Sequence, residues 1–345
     1  MALQTHQASN PATGNPTNLY SLGKVLKSID GVFVLDRLVK VYPVPMNKNE
    51  TVLMVRSITP DPRLTEVAEG VNPPSRALVY ESVQVTLGEF AEVFAVSSRQ
   101  AELGETDVLM DSKDRLVDLM RRTREKNAWF AFRNGTQRIF NATAHTARSQ
   151  VNGAISLGAI RTAVRTLQNA RAAYIRQISN GSVNNGTTAT EAAYLCITHT
   201  DAQADIRALP GFVPLANIGG GARNIPELFG QVDNVMFITS PEFDPFFGEG
   251  AGSPTALNMR SVGGANVDVY SYVIFGAEAL GKCNLRGKSQ SGLGAVEMNV
   301  LDKADKSDAT NQRRLVSCRW WDAPLILQQQ HVVRIEAGVT DKLYT

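Results

Sequence analysis

The sequence predicts an α+β fold, and three observations carry that expectation. A single long helical pattern over about 107–134 dominates the chain. Strand-like runs rich in β-branched residues lie on both sides of it, and they return at the C-terminal end. Two of those runs, 51–58 and 78–86, are joined by about twenty residues, where a hairpin usually needs two to five.

The first 18 of the 345 residues contain no Asp, Glu, Lys or Arg and are rich in Asn, Thr, Pro, Ala and Gln. Such a stretch cannot bury enough apolar surface to order itself, so it reads as an arm. From Leu19 to Val44 the chain turns apolar, as a short helix and strand docking on something else would, until Pro43 and Pro45 close the segment. Thr51–Ile58 and Leu78–Thr86 then pair as an antiparallel hairpin whose connection, Thr59–Ala77, projects. A projection of that length needs a partner to hold it.

A further strand at Ala91–Val96 precedes the long helix. Glu105, Asp107, Asp111, Asp114 and Asp118 come early in it, and Arg121, Arg122, Arg124, Lys126 and Arg133 late, which complements the helix dipole. Leu109, Leu116, Leu119, Met120, Thr123, Ala128 and Phe130 form its expected apolar stripe, and Asn134-Gly135 its stop. At 1.5 Å per residue it is roughly 40 Å long. Ser156 caps a second expected helix running to Arg176. Beyond a polar loop at 179–190, Ala192–Thr198 leads into a strand and short helix ending at Leu209. Val235–Thr239, Val267–Phe275 and Leu325–Ala337 are the later strands, Gly248–Asn266 a Gly-rich loop, and Asp302–Arg314 a solvated hairpin end.

Composition narrows the function. With 43% hydrophobic and 20% charged residues, the chain is an ordinary globular protein, and its net charge of +2 gives no strong pull towards DNA or membranes. Cys196, Cys283 and Cys318 are odd in number and lack CxxC spacing, so neither a disulfide framework nor a zinc site is expected. No secretory signal pattern and no run of about 18 apolar residues occurs, and a reducing cytoplasm fits best.

Catalytic signatures are sparse. Gly219-Gly220-Gly221 could cradle a phosphate, but Ala222-Arg223-Asn224 follows instead of a Gly-Lys-Ser/Thr ending, so a plain loop is the better reading. His6, His145, His199 and His331 show no metal-ligand spacing. His199 beside Asp201 lacks a nucleophile elbow and reads as a strand-to-helix turn. Glu66 and Glu69 could act as paired carboxylates, and Trp320-Trp321 as a stacking platform. An interface loop and core aromatics explain them more simply. Arg121, Arg122 and Arg124 are candidates for facing nucleic acid, set against a plain dipole and solvation role. No catalytic, cofactor or metal residue is assigned.

The order of these parts resembles the tailed-phage major capsid fold of the HK-ninety-seven type, and more closely the coat-protein family of phage N-four. The resemblance rests on Leu64-Thr65-Glu66 and Glu69-Gly70-Val71-Asn72-Pro73 in the tip, then Val83–Leu87 and Phe90–Ser97. It continues through Tyr194–Arg207, Val273–Ala279 and Trp321–Glu336, spanning about residues 20–340. Phe90-Ala91 stands where members carry Tyr-Gly, and the loop at 248–266 has no counterpart.

The resemblance implies an N-terminal arm (1–44), an extended hairpin loop (45–98), and a peripheral domain with the spine helix (99–150). An axial domain (151–270) and return strands shared by both domains (271–345) complete it. It further implies a structural protein, not an enzyme, without cofactors, forming hexamers and pentamers of an icosahedral virion shell. That shell would enclose double-stranded DNA without sequence specificity and would be assembled in the bacterial host cytoplasm. Portal, scaffolding or decoration proteins are its implied partners; a membrane is not. Subunit-interface candidates are Leu19, Tyr20, Leu64, Glu66, Glu69, Gly70 and Pro73. Two alternatives stay open: a cellular nanocompartment shell, and an α/β enzyme binding a phosphorylated ligand.

Overall fold

The computed structural model describes residues 34–47, 49–58, 60–98, 108–175, 192–218, 228–286, 296–301 and 312–341. The expectations for the arm, for Gly219–Gly221, for 179–190 and for most of Asp302–Arg314 fall outside those residues. The described residues divide between two compact units. The smaller is drawn from Ala91–Met120 and Glu297–Arg319, the larger from Gly31–Phe90, Arg121–Val296 and Trp320–Thr345.

The elements in chain order begin with α1 (Leu35–Leu38), β1 (Lys40–Val44), β2 (Thr51–Ser57), β3 (Tyr80–Thr86) and β4 (Gly88–Ser97). Next come α2 (Val108–Phe132), β5 (Arg138–Phe140), α3 (Leu157–Asn169), β6 (Tyr194–His199) and α4 (Gln203–Arg207). They are followed by β7 (Phe212–Pro214), β8 (Leu228–Val232), β9 (Val235–Ser240), α5 (Pro254–Leu257) and β10 (Tyr270–Phe275). The last are β11 (Leu280–Leu285), β12 (Val296–Leu301), β13 (Arg313–Ile326) and β14 (Val332–Ala337).

The larger unit is organised by a seven-stranded mixed sheet in the order β5-β14-β10-β6-β9-β8-β7. Side chains of a strand alternate between faces, so a strand covered on both sides reads as a near-continuous apolar run. This is why β9 (VMFITS) and β10 (YSYVIF) are buried at every position. Tyr194, Cys196, Phe237, Tyr272 and Ile274 point to one face, where Ile160, Ala163 and Leu167 of α3 and Ile206 of α4 cover them. Leu195, Ile197, Met236, Ile238 and Val273 point to the other, against Ala128, Trp129 and Phe132 of α2 and Val34, Leu35 and Val39. β14 carries two charges at buried positions, Arg334 and Glu336. Glu336 accepts a bidentate pair from Arg148 (2.8 and 3.0 Å) and a third bond from Arg334 (2.8 Å).

Helix α2 matches the expected 107–134, with a corrected stripe. Trp129 and Phe132, not Phe130, are the buried aromatics: Trp129 stacks on Phe243 at 4.8 Å and donates Nε1–H to the Asp244 carbonyl, while Phe130 is exposed. In the smaller unit α2 supplies buried Leu116 and Met120, one turn apart, and Met120 meets Cys318 of β13 through sulfur (3.6 Å). Both β12 and β4 pair with β13.

Helix α3 begins as expected, with the Ser156 hydroxyl accepting the Ala159 N–H (3.2 Å), but it ends at Asn169, seven residues before Arg176. Arg171 there takes a φ of 56°, and Ala172 N–H turns back to the Leu167 carbonyl, which terminates the helix. Ser156→Ala is expected to cost about 1 kcal/mol in a urea melt, since an orphan N–H loses its acceptor. A second correction concerns Leu325–Ala337. It is not one strand, because β13 stops at Ile326 and a 3-10 turn at Gln329–His331 intervenes before β14. The Gly-rich loop 248–266 likewise contains the single turn α5.

Candidate assembly surface

The hairpin forms where the sequence places it. β2 and β3 pair antiparallel from Thr51↔Thr86 to Ser57↔Tyr80, and Ile58 N–H extends the ladder to the Val79 carbonyl (2.8 Å). One face is anchored: Val52, Met54, Val83 and Val85 pack on Val44, Leu87, Cys283, Ala323 and Leu325. Arg56 adds a bond to the Leu327 carbonyl (3.2 Å) and an ion pair to Glu81 (2.5 Å). The opposite face is bare, with Leu53 61% and Val55 59% exposed. Alternation on a two-stranded ribbon produces this, since every second residue faces away from the core on which the other face packs.

Beyond the ladder, residues 60–78 contain no regular structure and are exposed throughout. Their described backbone bonding is local: Val71 N–H to the Ala68 carbonyl, and Arg76 Nη1 to the Asp61 carbonyl. Gly70 lies in that turn at φ 81°, a left-handed geometry that favours glycine even though a Cβ would meet nothing within 4 Å. The candidates Leu64, Glu66, Glu69, Gly70 and Pro73 all lie on this tip, together with exposed Val67 and Val71. With Ile58, Leu78, Val79 and Tyr80 they extend the bare apolar surface of the hairpin. Leu19 and Tyr20 lie outside the described residues.

The arginine candidates separate. Arg122 is exposed and pairs with Glu242 (2.8 Å), and Arg121 is half-buried. Arg124 is 1% exposed, which overturns its assignment to a surface facing DNA. Its guanidinium belongs to an interior polar cluster. Lys282 of β11, also buried, bonds Asp36 (2.6 Å) and Asp322 (3.2 Å), and Arg124 lies 3.9 Å from Asp36. Asn284 bridges the group: its amide, oriented by its neighbours, donates to Asp322 Oδ1 and accepts from Arg124 Nη2, both at 3.2 Å. Asn127 donates to Asp322 Oδ2 (3.3 Å).

The two carboxylates share one lysine yet shift oppositely. Asp36 is raised by burial, but Lys282 and Arg124 outweigh that and hold it low. For Asp322, which has no exposure, burial wins and pushes it up. Sequence reading missed this cluster. Its trace was Lys282, Asn284 and Asp322 set inside the largely apolar runs LGKCNL and WWDAPL.

The enzyme alternative finds little geometry. His199 Nδ1 accepts the Asp201 backbone N–H (3.1 Å), and burial lowers its pKa, so the ring is a neutral acceptor although it lies 3.3 Å from Asp201 Oδ2. Asp201 is committed to the Tyr270 hydroxyl (2.8 Å) and to Arg260 (3.2 Å). That is a turn brace and not a triad. Among the described residues no group of His, Cys, Asp and Glu is placed to hold a metal ion. No described helix is long and apolar enough to cross a membrane.

No protein-family model and no curated protein sequence matches the chain. Solved structures do. The capsid of Ralstonia phage GP4 superposes with a TM-score of 0.67 at 12% identity, over 96% of this chain and 98% of that one. The chain has a tailed-phage capsid fold. The head structure of Helicobacter pylori bacteriophage KHP40 (TM-score 0.61, 15% identity) matches 96% of this chain and 97% of its own. The cyanophage Pam1 capsid (0.61, 12% identity) matches 97% and 99%. The similarity therefore covers the hairpin, α2 and the seven-stranded sheet of this capsid fold together, and is not confined to one layer.

Proposed function

We propose that this chain is the major capsid protein of a tailed bacteriophage, assembling through hexamers and pentamers into an icosahedral shell around double-stranded DNA. One observation carries the reading: a chain with the capsid fold over nearly its whole length holds out a hairpin whose apolar face and tip find no cover among the described residues. Neighbouring copies that bury such surfaces resolve the exposure. On this reading the role is structural, α2 is the spine helix of the peripheral domain, and the seven-stranded sheet is the heart of the axial domain. The tip candidates Leu64, Glu66, Glu69, Gly70 and Pro73 touch a neighbouring subunit. The net charge of +2 suits a shell of many like copies, because strong mutual repulsion opposes assembly. Contact with packaged DNA is local and without sequence specificity, and Arg121 and Arg122 are its candidates.

Negative-stain electron microscopy with light scattering, on the protein expressed alone and then with its neighbouring genes, tests the proposal. Closed shells tens of nanometres across, or hexamer and pentamer rings, are expected. A monodisperse monomer or dimer under both conditions overturns it. Nuclease-protected DNA inside the shells separates a virion from a compartment filled with protein cargo.

A further inference from the structure

Glu125 of α2 is 2% exposed, and its carboxylate accepts backbone N–H bonds from Val34 (3.1 Å) and from Leu35 (3.0 and 3.2 Å). Ninety residues separate donor and acceptor, so this is a tertiary lock at the root of the N-terminal stretch. The same segment seals the site: Val34, Leu35 and Val39 pack on Ala128, Trp129 and Phe132. Charged groups face this region from each neighbouring element: Asp36 from α1, Arg121 and Arg124 from α2, Lys282 from β11 and Asp322 from β13. The nearest cations are engaged elsewhere, Lys282 with Asp36 and Asp322, and Arg124 with Asp36 and Asn284. A carboxylate in so dry a place has two N–H donors as its main compensation, and an ionised one also gains by reaching water.

We propose that Glu125 is a proton-linked clamp on the Val34–Val39 segment: protonated, it tolerates the sealed site and the segment stays docked; ionised, it favours undocking, which lets water in. Burial pushes its pKa up to about 7, against the downward pull of the Leu35 and Val34 N–H bonds. The sign follows from linkage. The docked state keeps the proton to higher pH than the undocked state, so docking is strongest in acid and weakens as pH rises from the ordinary carboxylate value towards about 7. Above that it is level. Asp36 acts in the opposite sense, but its lowered pKa puts its effect at more acid pH. Asp322 bonds Lys282 and Asn127, not the segment. The clamp does not depend on the capsid reading; that it governs where an assembly arm leaves the subunit does.

Hydrogen exchange at the Val34 and Leu35 amides of the full-length protein, expressed as protection over unstructured rates between pH 5 and 8, tests it. Protection is expected to fall roughly tenfold per pH unit up to about pH 7 and then level off. Glu125→Gln, whose amide oxygen can accept the same N–H bonds without a charge, is expected to abolish the slope and keep the segment protected. Carbon-13 titration of the wild-type Glu125 carboxyl gives a readout that needs no variant. Flat wild-type protection, an unchanged slope in Glu125→Gln, or a carboxyl titrating in the ordinary range each overturns the clamp. None of these results turns on whether shells form.

Discussion

Deleting Leu64–Pro74 is expected to leave a soluble, folded subunit that no longer closes shells. The tip is exposed throughout, and its described hydrogen bonds are local, so its removal opens no cavity in either unit. Shortening a flexible connection changes loop-closure entropy by less than about 1 kcal/mol, so thermal and denaturant midpoints are expected to stay close to wild type. Assembly is different. Leu64, Val67 and Val71 each forfeit roughly 1.5–3 kcal/mol if a neighbour buries them. A shell repeats that loss at every subunit contact. The check is paired: a denaturation curve for the isolated chain, and electron microscopy of the assembly reaction. Normal shells from the deleted chain remove the hairpin tip from the interface.

Lys282→Met is expected to destabilise the larger unit by about 3–5 kcal/mol, as removing one member of a buried charge pair does. The lysine is 1% exposed, and its loss strands Asp322, which has no exposure, and weakens the hold on Asp36. Asn284 and Asn127 still bond Asp322 but bring no charge. The penalty has a pH signature. Asp322 is already raised by burial, and losing Lys282 raises it further, so the protonated form folds more readily than the ionised one. Stability is retained below the ordinary carboxylate value and lost as pH rises through the folded one, making the deficit smaller in acid. Changing Asp322→Leu together with Lys282→Met is expected to recover most of the loss, since an apolar pair of similar volume avoids the desolvation cost. Denaturant midpoints for both singles and the double decide it. A single-variant cost below about 1 kcal/mol means that the pair is solvated and not buried.

Much of the scaffold was legible in the sequence because the signals involved are local. The strands at 51–57 and 80–86 follow from β-branched runs between proline-bearing stretches. The boundaries of α2 lie within two residues of expectation, and the Ser156 cap makes the expected bond. Each depends on neighbours a few positions away in the chain. What went unread depends on distant partners. β13 runs for 14 residues through Trp320-Trp321 and on past Pro324, a residue that reads locally as a break, and only its pairing with β11 shows that the strand continues to Ile326. Trp129 and Phe130 are adjacent aromatics, and which is buried depends on the side of the helix that the sheet and Phe243 cover.

The candidate surface divides along the same line. Composition and spacing alone determined that a long, unsupported connection exists between two strands and that it carries Leu64, Glu66, Glu69, Gly70 and Pro73. They also determined that no recognisable catalytic motif accompanies it. Tertiary structure alone decided which hairpin face is bare, because that depends on where Val44, Leu87 and Leu325 gather. It also turned Arg124 from a surface cation into an interior one and brought Glu125 to the amides of Val34 and Leu35. A charged side chain is identical on paper whether it meets water or another charge. Its environment is set by segments as far as 90 and 246 residues away, brought together only by the fold.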